Sequence, residues 1–196
     1  NDVYAIRVNS SGTSIWEATY NLNNYEDGYD IMELTSGDFL ITGATYGANG
    51  GAFLFKINSN GDPSSTFGDY SFQTCQGSKC RGGGKFFTLT SAGNGYHIEK
   101  ISGGGFLIVG TESNGANSFM SKLNSSGVPD WTKTIARDGE NNAYVIHEVS
   151  APGAPGFIVA GEILGPGTGA YDFWLFKTDL DGNVIWEKTY GGSNSE

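Results

Sequence analysis

The chain has 196 residues, 31 of them glycine, with 13% aromatic residues and a formal net charge of −10. A surface of that sign repels phosphate backbones and argues against a nucleic-acid partner, and no apolar run is long enough for membrane insertion. Glycine at about twice its usual share, beside abundant aromatics, excludes a helical protein and predicts short strands joined by tight turns.

Taken in chain order, the first element is Val3-Tyr4-Ala5-Ile6-Arg7-Val8-Asn9, followed by Gly12 and Trp16. A strand, an Asn-x-x-Gly turn and a second strand predict a β-hairpin, because Asn and Gly tolerate the positive φ of tight turns. Next, Tyr29 and Ile31 mark a strand whose partner is Phe39-Leu40-Ile41-Thr42-Gly43. The first pattern then returns as Ala52-Phe53-Leu54-Phe55-Lys56-Ile57-Asn58 with Gly61, although Ser65 stands where a Trp is expected. An insertion over residues 73–92 follows; it holds Cys75 and Cys80 and runs Arg81-Gly82-Gly83-Gly84-Lys85. The alternation then resumes twice. Tyr96, Ile98 and Phe106-Leu107-Ile108-Val109-Gly110 precede Ser118-Phe119-Met120-Ser121-Lys122-Leu123-Asn124, Gly127 and Trp131. Tyr144, Ile146 and Phe157-Ile158-Val159-Ala160-Gly161 precede Phe173-Trp174-Leu175-Phe176-Lys177-Thr178-Asp179, Gly182 and Trp186.

The repeating unit is therefore four strands, and its hairpin glycines lie 49, 66 and 55 residues apart. That is the size of a propeller blade, a sheet too small to bury two apolar faces except by stacking on its neighbours. The expected fold is all-β: a β-propeller-like array of four-stranded antiparallel blades, about three and a half in this chain. A β-solenoid is the structural alternative. The expected divisions are a half-blade over 1–25, a blade over 26–92 with the 73–92 insertion, and blades over 93–139 and 140–196. Because the array opens and closes within a blade, further repeats of the same chain or other copies of it are the expected partners.

The segment from Asp172 through Lys177 to Gly182, Trp186, Tyr190 and Gly192, with Phe157-Ile158-Val159-Ala160-Gly161, resembles the propeller-type repeats of bacterial and archaeal secreted and cell-surface proteins. The resemblance covers nearly all of the chain except residues 73–92. It implies export, extracellular or cell-surface placement, and a scaffold or binding role; separately, no carboxylate pair, triad or metal cluster stands out in the sequence, so catalysis is not expected. Ser65 and the cysteine insertion depart from the pattern.

The candidate residues follow from the repeat. Cys75 and Cys80, with four residues including a glycine between them, favour a disulfide and an oxidising compartment; they lack both zinc-finger and redox spacing. Trp16, Trp131 and Trp186 are expected to pack between blades, with sugar stacking as the other use of such rings. Arg7, Lys56, Lys122 and Lys177 recur once per blade and are expected to lay their alkyl stems over strands; a ring for an anion is the alternative. Asp30, His97 and Val145 share one strand position that would line a central channel, with Glu26 and Glu140 at the turns beside it. Asp30 and His97, with Arg81 and Lys85 of the insertion, are the binding candidates, and cell-surface glycans the ligand class. A glycan-binding or glycan-processing propeller is the competing function. No cofactor is expected; Asp179 and Asp181 are the residues a calcium ion would use, although no glutamate closes an EF-hand-like loop.

Overall fold

The structure, a computed structural model, describes residues 1–22, 25–47, 50–72, 79, 81, 83–112, 115–150, 153–165 and 169–192. Strands joined by glycine turns form throughout, as the composition requires, and no α-helix occurs among the described residues. The chain divides into a first unit, Asn1–Asn94, and a second, Gly95–Glu196.

In the first unit, β1 (Val3–Val8) and β2 (Ser14–Tyr20) form a two-stranded hairpin. Beside it lies a sheet of β3 (Tyr25–Glu33), β4 (Phe39–Tyr46), β5 (Gly51–Ile57), β6 (Tyr70–Phe72) and β7 (Gly84–Thr88), in the order β3-β4-β5-β7-β6. The second unit holds two four-stranded antiparallel sheets. One contains β8 (Asn94–Lys100), β9 (Phe106–Glu112), β10 (Asn117–Leu123) and β11 (Pro129–Ile135). The other contains β12 (Asn141–Val149), β13 (Gly156–Leu164), β14 (Tyr171–Thr178) and β15 (Val184–Tyr190).

Register explains the spacing of the repeated residues. Arg7 lies opposite Trp16, Lys122 opposite Trp131, and Lys177 opposite Trp186; in each hairpin the register shifts directly after the basic residue. Cross-strand partners share a face, so each cation and indole form one neighbouring pair. The turns are equally uniform. The side chain of Asn9, Asn58, Asn124 or Asp179 accepts backbone N–H groups two and four residues ahead, and the glycines at 12, 61, 127 and 182 sit at φ between +79° and +83°.

Stacking buries the apolar faces within each unit. In the second, Leu107, Val109, Met120 and Ile135 of one sheet meet Ile146, Phe157, Val159, Trp174 and Phe176 of the other. In the first, Val3, Ala18 and Tyr20 of the hairpin join Ile41, Phe53 and Phe55 of the larger sheet. A tryptophan marks both contacts. Trp16 lies against Gly61, where an added Cβ would come within 3.0 Å of the indole, and Trp131 lies against Gly182, where the distance would be 2.6 Å. The Trp16 Nε1–H donates to the Ser59 carbonyl at 2.9 Å, and the Tyr20 hydroxyl to the Gly61 carbonyl at 2.8 Å. Burial pushes the Tyr20 phenol well above its usual range, so it stays a donor. Tyr20→Phe is expected to cost about 1 kcal/mol, read from urea unfolding, because the ring remains but the carbonyl loses its donor. No loss at all would mean that water replaces the hydroxyl.

The second repeat departs from the expectation. Residues following Gly61 do not run back along β5; Ile57 makes only a bridge to Pro63. β7 takes the place beside β5, pairing Phe53 with Thr88, Leu54 with Phe87 and Phe55 with Phe86, and β6 adds a fifth strand outside it. Part of the stretch expected to be a loop over 73–92 is therefore a strand. Pro63 cannot donate to a ladder and the serines after it bring no apolar face. Phe86 and Phe72 do, and both join the core around Phe55. Cys75 and Cys80 lie outside the described residues.

Candidate functional site

In the first unit, among the described residues, β1 pairs with β2 alone and leaves its other edge open. A groove of about 210 Å³ runs there, lined by Ala5, Ile6, Tyr29, Asp30, Ile31 and Ile41 among others. Asp30 lies opposite Thr42, and its carboxylate accepts the Ile31 N–H at 2.8 Å. Tyr29 is the extra residue of a β-bulge between Gly28 and Asp30, and its hydroxyl meets that of Tyr46 at 3.0 Å. The bulge aims the ring out of the ladder. Arg81 forms an ion pair with Asp62 at 3.4 Å, and its backbone N–H donates to the Thr19 carbonyl. Lys85 is half-buried on β7 opposite Ser71.

His97 belongs to the second unit, where β8 runs beside β12. Its Nδ1 accepts the Ile146 N–H at 3.4 Å. Along the same seam, Glu99 takes the His147 imidazole at 3.0 Å and the Glu148 N–H at 3.1 Å. Glu148 in turn accepts the backbone N–H and the hydroxyl of Ser102, at 2.6 and 2.9 Å. These contacts use the carboxylates to join one turn and two strands. The Ser102 hydroxyl thus donates to Glu148 from the turn that follows β8. Val145 is exposed on β12, opposite Ala160. Asp30 and His97 thus serve local contacts in different units.

A third cluster surrounds β12 and β13. The Tyr144 hydroxyl and the Asn142 amide both donate to Glu162 Oε1, at 2.6 and 2.9 Å, and Tyr171 donates to Glu140. Burial first, and Glu162 second, hold the Tyr144 phenol well above its usual range. The bond to Glu140 raises the Tyr171 phenol above its usual value. Phenols held protonated are donors, not bases, at neutral pH.

The repeated cations act locally. Arg7 donates to the Ser59 carbonyl at 2.9 Å and lies over Phe39. Lys56 pairs with Asp38 at 3.6 Å, Lys177 donates to the Ala154 carbonyl at 2.6 Å, and Lys122 is half-buried on β10. At the Asp179 turn, the carboxylate takes the N–H groups of Asp181 and Asn183 and the Asn183 amide. Those bonds, with the Asn183 side chain the largest cause, hold its carboxyl below the usual range. Among the described residues no three His, Cys, Asp or Glu side chains gather as a metal site, and no helix is long and apolar enough to cross a membrane. A group whose folded pKa is depressed stabilises above its unfolded pKa and loses that contribution as the pH falls through the folded value. Asp179→Asn should therefore leave neutral-pH stability almost unchanged, since three sister turns use Asn, while removing one acid-sensitive component. Acid titrations of the two proteins followed by circular dichroism check this; identical acid profiles would refute it.

Tyr20 went unmarked in the sequence although a signal was present. Trp16-Glu17-Ala18-Thr19-Tyr20 and Trp186-Glu187-Lys188-Thr189-Tyr190 are the same motif, and only the first meets a glycine turn. No family model matches the chain, and no curated protein matches it either.

Proposed function

We propose that this chain is a non-catalytic, extracellular structural or adhesive repeat module, a propeller-like array that forms a segment of a longer surface protein or a self-assembling subunit. The observation that carries the reading is the tryptophan-over-glycine contact between successive sheets, made once in each unit by Trp16 with Gly61 and by Trp131 with Gly182. A repeated lock of this kind holds stacked sheets in a fixed relation, which suits a scaffold. The polar clusters at Glu99, Glu148 and Glu162 support the non-enzymatic part, because each carboxylate holds neighbouring strands or turns. A Cys75–Cys80 disulfide and the oxidising compartment belong to the same proposal.

Three measurements test it. A membrane-impermeant label applied to intact producing cells should reach the protein, and thiol counting before and after reductant should expose two thiols only after reduction. Incubation with a panel of polysaccharides should leave them intact by mass spectrometry. A reproducible cleavage product would replace this reading with a glycan-processing one, and a protein protected inside the cell would remove the surface role.

A further inference from the structure

We propose that the outer face of β14 and β15 is a docking surface for the β1–β2 hairpin of a second copy of this chain, with Trp186 seated over the partner's Gly12. The inference rests on the repeat reading above and names the contact by which repeats of separate copies join.

Register defines the missing contact. Trp186 and Tyr190 occupy the positions of Trp16 and Tyr20, because Lys177 faces Trp186 as Arg7 faces Trp16. Tyr20 is wholly buried and bonded to Gly61, whereas Tyr190 is 51% exposed and Trp186 37% exposed. Phe173, at the position of the buried Val3, is also exposed. The complementary face lies on the first hairpin. Tyr4, Ile6 and Val8 stand where the second repeat has Phe53, Phe55 and Ile57, all three fully buried, yet each of the former is about half exposed. An added Cβ at Gly12 meets nothing within 4 Å, while at Gly61 and Gly182 it would meet an indole. Trp186 is thus an unseated tryptophan, and the Gly12 turn an uncovered one.

The two faces differ, so the contact is head-to-tail and propagates to a closed ring or a filament. The geometry of the first unit supplies its details: the Trp186 Nε1–H donates to the partner's Ser10 carbonyl and the Tyr190 hydroxyl to the partner's Gly12 carbonyl, as Trp16 and Tyr20 do to Ser59 and Gly61. Each copy carries a charge of −10, so long-range repulsion opposes the docking. Salt should therefore strengthen it.

Sedimentation velocity of the 196-residue chain over a wide concentration range, at low and high salt, tests the proposal. Species larger than the monomer are expected, more of them at high salt. Trp186→Ala should weaken association roughly thirtyfold or more, the scale of a buried aromatic hot spot, and Tyr190→Phe by less, with folding of both checked by circular dichroism. Gly12→Asn keeps a residue that accepts positive φ but places a side chain under the incoming indole, and should also yield monomers. Mixing Trp186→Ala with Gly12→Asn restores one good interface and should give dimers and nothing larger. A chain that stays monomeric at every concentration, association that salt weakens, or a mixture that does not dimerise would each overturn it. Dimers formed by a protein that the impermeant label never reaches would leave this contact standing and remove the surface role alone.

Discussion

Gly161→Ala is expected to destabilise the second unit by about 3 kcal/mol or more, more than a typical surface substitution by a wide margin. Gly161 lies on β13 opposite Ala143, where β12 carries Tyr144 as an extra, unpaired residue. The bulge turns the Asn142 carbonyl toward the glycine, and an added Cβ would lie 1.9 Å from that oxygen. The obstacle is backbone, held in a ladder on both sides of β13, so it cannot withdraw without loss of strand pairing. Gly43 meets the same situation, with the Asp27 oxygen 2.0 Å from its Cβ position. Gly103 is the control, because a Cβ there meets nothing within 4 Å; Gly103→Ala should change stability by no more than about 0.5 kcal/mol. Urea unfolding followed by circular dichroism reads all three. Equal midpoints for Gly161→Ala and the parent would show that the bulge relaxes freely.

Trp174→Ala should cost about 3–5 kcal/mol, the range for deleting a buried Trp. The ring is fully buried, lies 4.3 Å between centroids from Phe176, and belongs to the core where the two sheets of the second unit meet. Its Nε1–H donates to Glu187 at 3.2 Å, and the same carboxylate pairs with Arg137 at 2.7 Å. Trp174→Phe keeps most of the apolar volume and leaves the Arg137 pair, so its loss should be less than half as large. Trp186→Ala, on the partly exposed outer face, should change monomer stability by about 1 kcal/mol or less. Thermal and urea unfolding of dilute protein gives the order. A Trp186 loss equal to that of Trp174 would mean the outer face is already covered within one chain.

The site residues were legible to different depths. The Trp and basic positions could be read as repeats, yet their cross-strand pairing needed register. The strand glycine of Phe-Leu-Ile-x-Gly recurs visibly in the sequence, but its reason is a carbonyl brought in by a bulge on the neighbouring strand. By register Gly28 and Ala143 face the equivalent glycines at 43 and 161, so Glu26 and Asn141 occupy matching positions. Asn141 is buried and accepts the Ser118 N–H at 2.8 Å, a bond between two sheets that no spacing in the chain announces.

By itself the sequence determined the all-β class, the strand positions in three repeats and the four Asn/Asp-x-x-Gly turns, three of which close hairpins. Those features depend on residues a few positions apart: alternating burial, a side-chain oxygen reaching N–H groups two and four ahead, and glycine at positive φ. Only the tertiary structure decided which segment lies beside β5. Two stretches compete for that one edge, and the outcome turns on Phe86 reaching a core that residues far away in the chain have built, while Pro63 has no N–H to offer.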